Sequence, residues 1–109
     1  MSGGGLDLAY EYTKRIGQVT KLEEKFKSYY CTQLLIPIPE TKDFQDIRVV
    51  PGDSVVFVNN GGELRGGLVY QIYKFYVYDG YTARAFLIWD TLKKKFTLKL
   101  PYQVSKFTP

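Results

Sequence analysis

The 109-residue chain contains no histidine, one cysteine, one methionine and one tryptophan. Without histidine, the side chain that titrates nearest neutral pH and the commonest metal ligand are both missing. This points to binding rather than catalysis, although carboxylates, tyrosine and lysine remain as proton-transfer groups. A lone Cys31 excludes an internal disulfide and a cysteine-rich metal site. With no histidine to activate it, Cys31 reads as a small buried residue near a helix end. No apolar run approaches the roughly 20 residues needed to cross a bilayer. The opening Met1-Ser2-Gly3-Gly4-Gly5 lacks the basic-then-apolar order of a signal peptide and reads as a flexible leader. These absences predict an intracellular, cytoplasmic protein with neither cofactor nor membrane partner.

Aromatic residues are abundant: ten Tyr and seven Phe accompany the Trp. At 45% hydrophobic and 24% charged residues, the composition is that of a folded domain, and the length allows one core. A single domain over 1–109 is expected, helical over 6–31, extended over 34–50 and β from 51 to 109. The net charge of +4 is unevenly placed. Residues 1–46 hold six Lys/Arg against seven Asp/Glu, whereas residues 47–109 hold nine against four. The basic character therefore belongs to the β part, where it either faces a polyanion or serves solubility.

Leu6, Ala9, Tyr12, Ile16, Val19, Leu22, Phe26 and Tyr29 recur by threes and fours, a helical spacing. Gly17 is a natural stop, and Thr20-Lys21-Leu22-Glu23 has the form of a capping box. The favoured reading is two helices, about 6–16 and 21–31; the alternative is one bent helix that tolerates Gly17. The stripe Ile16, Val19, Leu22 and Phe26 needs a cover, either the sheet or a second copy of the chain, and a homodimer is expected. Leu34-Leu35-Ile36-Pro37-Ile38-Pro39 is apolar and extended, and its prolines confine it to a sheet edge or a strap over the core.

From Ile47 the pattern is β. Pro51-Gly52-Asp53 is a turn before the strand Ser54–Asn59. A glycine-bearing loop, residues 60–67, presents Leu64 and Arg65 at its tip. It lacks the Gly-Lys-Ser/Thr ending and following helix of a nucleotide-binding loop. Leu68–Tyr78 and Tyr81–Asp90 read as a hairpin about Asp79-Gly80, with Tyr78 and Tyr81 paired across it. On the first of these strands Val69, Gln71, Tyr73, Phe75 and Val77 share one face, while Leu68, Tyr70, Ile72, Lys74, Tyr76 and Tyr78 share the other. A second turn at residues 91–94 leads to Lys95–Leu100, where Phe96, Leu98 and Leu100 alternate with Lys95, Thr97 and Lys99 as core face and wet face. Asp43, Asp46, Asp53, Asp79 and Asp90 fall mostly at turns, where Asp bonds its own backbone.

Residues 50–107 resemble an SH3-like small barrel, the superfold shared by SH3, Tudor, KOW and several chromatin domains. The likeness rests on Pro51-Gly52-Asp53-Ser54-Val55-Val56-Phe57, which is similar to the Gly-Asp-x-Val opening of KOW-type barrels. It also rests on the 60–67 loop, on three meandering strands, and on Leu100-Pro101-Tyr102-Gln103-Val104. That last stretch is similar to the Pro-x-x-Tyr-Val turn before a final SH3 strand, two residues shorter here. The expected fold class is α+β, a helical segment packed on an antiparallel SH3-like barrel or strongly twisted sheet. The composition, rich in Tyr and Lys without His, is reminiscent of small proteins of hyperthermophilic archaea and their viruses.

Arg65, Lys74, Arg84, Lys93, Lys94, Lys95 and Lys99 lie on or near the same hairpins as Tyr73, Tyr76 and Trp89. Lysine and arginine supply phosphate contacts and exposed rings supply base stacking. Each element also has an ordinary use: tyrosine packs well in strands, and a lysine-rich turn keeps a sheet edge from pairing with other chains. The expected function is binding of nucleic acid, DNA with little sequence preference. The alternative is a small viral or plasmid protein-interaction module, an adaptor, inhibitor or structural subunit, with a Tyr-rich contact surface.

Overall fold

One helix, not two, occupies the first part of the chain. The computed structural model describes residues 4–77 and 80–108, with side chains from Arg15 onward. Helix α1 runs from Gly4 to Tyr30 through Gly17 without a break. The expected capping box at Thr20 is absent because the Thr20 hydroxyl donates to the Ile16 carbonyl at 3.1 Å, within the helix. An interior glycine costs about 1 kcal/mol relative to alanine, and docking of the apolar stripe outweighs it. The helix ends where Cys31 turns left-handed (φ +53). Thr32 N then donates to Lys27 O at 3.0 Å and Cys31 N to Ser28 O at 3.4 Å, which satisfies carbonyls of the last turn. Cys31 is exposed at this exit, not buried as expected, because it lies off the docked stripe.

The strands are β1 (Ile36–Ile38), β2 (Thr41–Lys42), β3 (Arg48–Val49), β4 (Ser54–Val58), β5 (Leu64–Tyr76), β6 (Thr82–Asp90), β7 (Lys95–Lys99) and β8 (Val104–Lys106), with a 3-10 turn at Pro101–Gln103. An antiparallel sheet runs β7-β6-β5-β4-β8, with β1 added to the free edge of β5, while β2 and β3 form a separate ribbon. Its two ends, β7 and β8, do not pair, so the sheet is open rather than a closed barrel. Pro37 sits in β1, the edge position to which its missing N–H confines it. The loop between β2 and β3 is tied down by Asp43, whose carboxylate accepts from the backbone N–H of Gln45, Ile47 and, at 2.6 Å, Lys106.

Both faces of the sheet centre are covered. On one face Phe26, Val19, Leu22 and Tyr30 of α1 pack on Tyr73, Phe75, Ala85, Leu87 and Phe96. On the other, Val49, Val55, Phe57, Val69, Ile72, Phe86, Ile88 and Val104 form an inner cluster. Each such aliphatic or aromatic side chain stabilises the fold by about 1.5–3 kcal/mol when removed from water. The three apolar helix positions Val19, Leu22 and Phe26, expected to join two copies, are thus engaged within the chain. Of that set only Ile16 stays exposed.

Strand β5 departs from the expected alternation in two ways. It begins at Leu64, so residues 64–67 pair with β4 instead of forming a loop tip, and Arg65 lies opposite Phe57. The reversal is confined to 59–63, where Asn59 Oδ1 accepts from Gly61 N and Glu63 N and Gly62 takes φ +83. A bulge between Val69 and Gln71 then resets the register against β6. Val69 consequently shares the inner face with Ile72, whereas Tyr73 and Phe75 face α1. The Pro51-Gly52-Asp53 turn docks on this bulge: Gly52 N donates to Val69 O, and Val69 N donates to Asp53 O. The expected Tyr78–Tyr81 pair falls on Tyr78, which with Asp79 is outside the described residues. Tyr76 opposite Thr82 is the outermost described pair of that hairpin, and Val77 N donates to Tyr81 O beyond it.

Candidate functional site

The pairing register decides where the cations of the β part lie. Phe86 and Ile88 face the inner cluster, and side chains alternate faces along a strand. Arg84 therefore shares the face of Phe86, and Lys74 that of Ile72. Lys99 and Lys95 lie opposite Phe86 and Asp90, and Arg65 lies opposite Phe57. All five strand-borne cations of the sequence-derived set occupy the face turned away from α1. Lys93 and Lys94 stand exposed in the turn that joins β6 to β7.

At one end of this face Lys74 and Arg84 are direct cross-strand partners. Like charges so placed repel, and the ion pairs among the described residues include neither of them. Tyr76 stands beside them, 50% exposed, with Lys74 Nζ 5.7 Å from its ring centroid. This end therefore combines two like charges, without an ion-pair partner among the described residues, with an accessible aromatic face.

At the other end Arg65, Lys93, Lys95 and Lys99 line a small cavity of 160 Å³ between the 59–62 and 91–94 turns, together with Asn60 and Thr97. Asp90 is its carboxylate. Asp90 Oδ1 accepts from Leu92 N and Lys93 N, shaping the lysine turn, and Oδ2 lies 3.5 Å from Arg65 Nε. That ion pair lacks hydrogen-bond geometry, and Arg65 Nε is buried without a hydrogen-bond partner. Lys99 was expected on a wet face but is only 4% exposed. The curl of the sheet brings its ammonium 6.0 Å from the Phe57 ring and 3.2 Å from Asn60 Oδ1. Desolvation holds its pKa below the ordinary lysine value.

Tyr73, expected as a stacking ring, is 5% exposed. The bulge turns it toward α1, where its hydroxyl donates to Glu23 Oε2 at 2.7 Å. Trp89 is also on the helix face, stacked under Arg15 at 4.5 Å and edge-on to Phe96. There Ile16, Val19, Leu68, Tyr70, Trp89 and Phe96 line an apolar groove of 510 Å³. The rings of Tyr73 and Trp89 are therefore segregated from the strand-borne cations of the β part, and of the expected rings Tyr76 lies beside them. Sequence reasoning did not single out Asn60, Thr97 and Arg15. The Asn59-Asn60-Gly61-Gly62 run signals a turn, but nothing local reports that the turn meets β7.

Among the described residues no group of three or more His, Cys, Asp or Glu side chains is placed to hold a metal ion, and no helix is long and apolar enough to cross a membrane. Comparison with known proteins finds no matching family model, no matching curated protein and no matching solved structure.

Proposed function

We propose that the protein binds nucleic acid, DNA with little sequence preference, through the cations at the two ends of the sheet face turned away from α1. The observation that carries this reading is the Lys74–Arg84 cross-strand pair, two like charges without an ion-pair partner among the described residues. Such a pair costs stability in the free protein and is relieved by a polyanion. The remaining cations of this face extend the same potential, with Tyr76 as its stacking ring. The contacts reach phosphates rather than base edges, hence the low specificity. The strand order β8-β4-β5-β6-β7 and the 3-10 turn before β8 support reading the sheet as an opened SH3-like barrel.

A protein-interaction module is the second reading. The apolar groove on the helix face favours it, because exposed Ile16, Leu68 and Tyr70 there suit a protein contact. Salt separates the two: phosphate contacts weaken steeply with ionic strength, and an apolar interface does not. A mobility-shift titration against duplex and single-stranded oligonucleotides at two salt concentrations is the test. Absence of binding at low salt would end the nucleic-acid reading.

A further inference from the structure

We infer that the cavity between Arg65 and Lys99 seats the terminal phosphate monoester of a nucleic-acid strand. This rests on the nucleic-acid reading and assigns one pocket within it. Four cations and one carboxylate line the cavity, a net of +3. The carboxylate is already committed to two backbone N–H groups and to Arg65.

Two of the cations are incompletely satisfied. The buried Lys99 ammonium has three protons and one hydrogen-bond acceptor, Asn60 Oδ1. Arg65 Nε is buried with none. Buried donors without acceptors cost stability, and a tetrahedral oxyanion supplies acceptors to the Lys99 ammonium and offsets the charge of Arg65. Lys93 and Lys95 stand at the rim, and the Thr97 hydroxyl is a further donor in the lining. The volume, 160 Å³, accommodates a phosphate group, and the four cations of the lining favour an anion over an uncharged base.

Burial decides between a chain end and a backbone phosphate. A diester lying across the rim reaches the exposed lysines, but its two ester substituents hold it away from Lys99, which is 4% exposed. A terminal monoester projects three unsubstituted oxygens and carries a charge of about −1.5 to −2, matching the excess of cations.

The test compares one oligonucleotide sequence carrying a 5′ phosphate, a 3′ phosphate or hydroxyl ends only. At least one phosphorylated form should bind roughly tenfold tighter than the hydroxyl form, the scale of one charge-assisted hydrogen bond. Lys99→Met should remove that advantage, over and above the general weakening that loss of one cation of this face brings to all three oligonucleotides. The Lys93/Lys94/Lys95→Ala triple variant should weaken all three oligonucleotides. In the wild type, inorganic phosphate should erase the advantage at an ionic strength where chloride does not. The wild-type comparisons require no variant to fold. Equal affinity for all three oligonucleotides, with salt-sensitive binding intact, would overturn the pocket and leave the nucleic-acid reading standing. An advantage that survives Lys99→Met would likewise overturn it. Failure of every oligonucleotide to bind at low salt would overturn both.

Discussion

Lys74 and Arg84 stand directly opposite one another across β5 and β6, like charge against like charge. Lys74→Glu turns this repulsion into a cross-strand ion pair and should stabilise the fold by about 0.2–1 kcal/mol. The same change should weaken nucleic-acid binding and reduce the slope of log affinity against log salt by at least about one unit. Denaturant unfolding and salt titration of one variant measure both. Loss of stability together with unchanged affinity would contradict the role given to this pair.

The lysine turn makes a separate prediction. Lys93, Lys94 and Lys95 are exposed, so replacing all three by alanine should alter stability by no more than about 0.5 kcal/mol each. If each contacts a backbone phosphate, the salt slope should flatten by roughly two to three units. Circular dichroism checks that the fold is retained.

The Tyr73 hydroxyl bonds Glu23 at 2.7 Å and joins the sheet to α1. Tyr73→Phe should cost about 1–3 kcal/mol, because it removes a hydrogen bond to a carboxylate. Burial, then the Glu23 hydrogen bond and charge, push the Tyr73 hydroxyl well above the ordinary tyrosine value. A raised folded-state value means that the unfolded chain loses this proton first. The contribution is therefore constant below about pH 10 and is lost as pH rises above it. Tyr73→Phe should remove that part of the alkaline decline, measured as the unfolding midpoint against pH. Lys99 acts in the opposite sense. Its lowered value makes the unfolded chain bind the proton more tightly, so its contribution to stability rises as pH approaches the ordinary lysine value from below.

Gly67 tests the close approach of β5 to β6. A Cβ there would lie 2.5 Å from Ile88 Cγ2 and 2.7 Å from the Trp89 carbonyl oxygen. The second neighbour is backbone and has little freedom to move. Gly67→Ala should destabilise the protein by about 1–3 kcal/mol, as overpacking of a core does. Thermal unfolding near the wild-type midpoint would contradict this account.

Much of the architecture is legible in local chemistry. The change from threefold and fourfold spacing to β runs, the Pro51-Gly52-Asp53 turn, and the turn-forming roles of Asp43, Asp53 and Asp90 follow from side chains acting on their own backbone. The concentration of positive charge after residue 46 is likewise a property of the sequence. Helix continuity through Gly17 is not, because the gain that outweighs the glycine comes from Val19, Leu22 and Phe26 docking on strands more than forty residues away.

The faces were decided by tertiary structure alone. Alternation fixes which neighbours share a side within an unbroken strand, but the one-residue bulge at Tyr70 exchanges the sides midway along β5. It sends Tyr73 to the helix and leaves Lys74 beside Tyr76 on the opposite face. The burial of Lys99 depends on the 59–62 turn meeting β7, and the Lys74–Arg84 pair depends on the register between β5 and β6. The sequence by itself determined the kinds of elements and the placement of charge along the chain. The long-range register, which no short segment encodes, decided which charges meet on one surface.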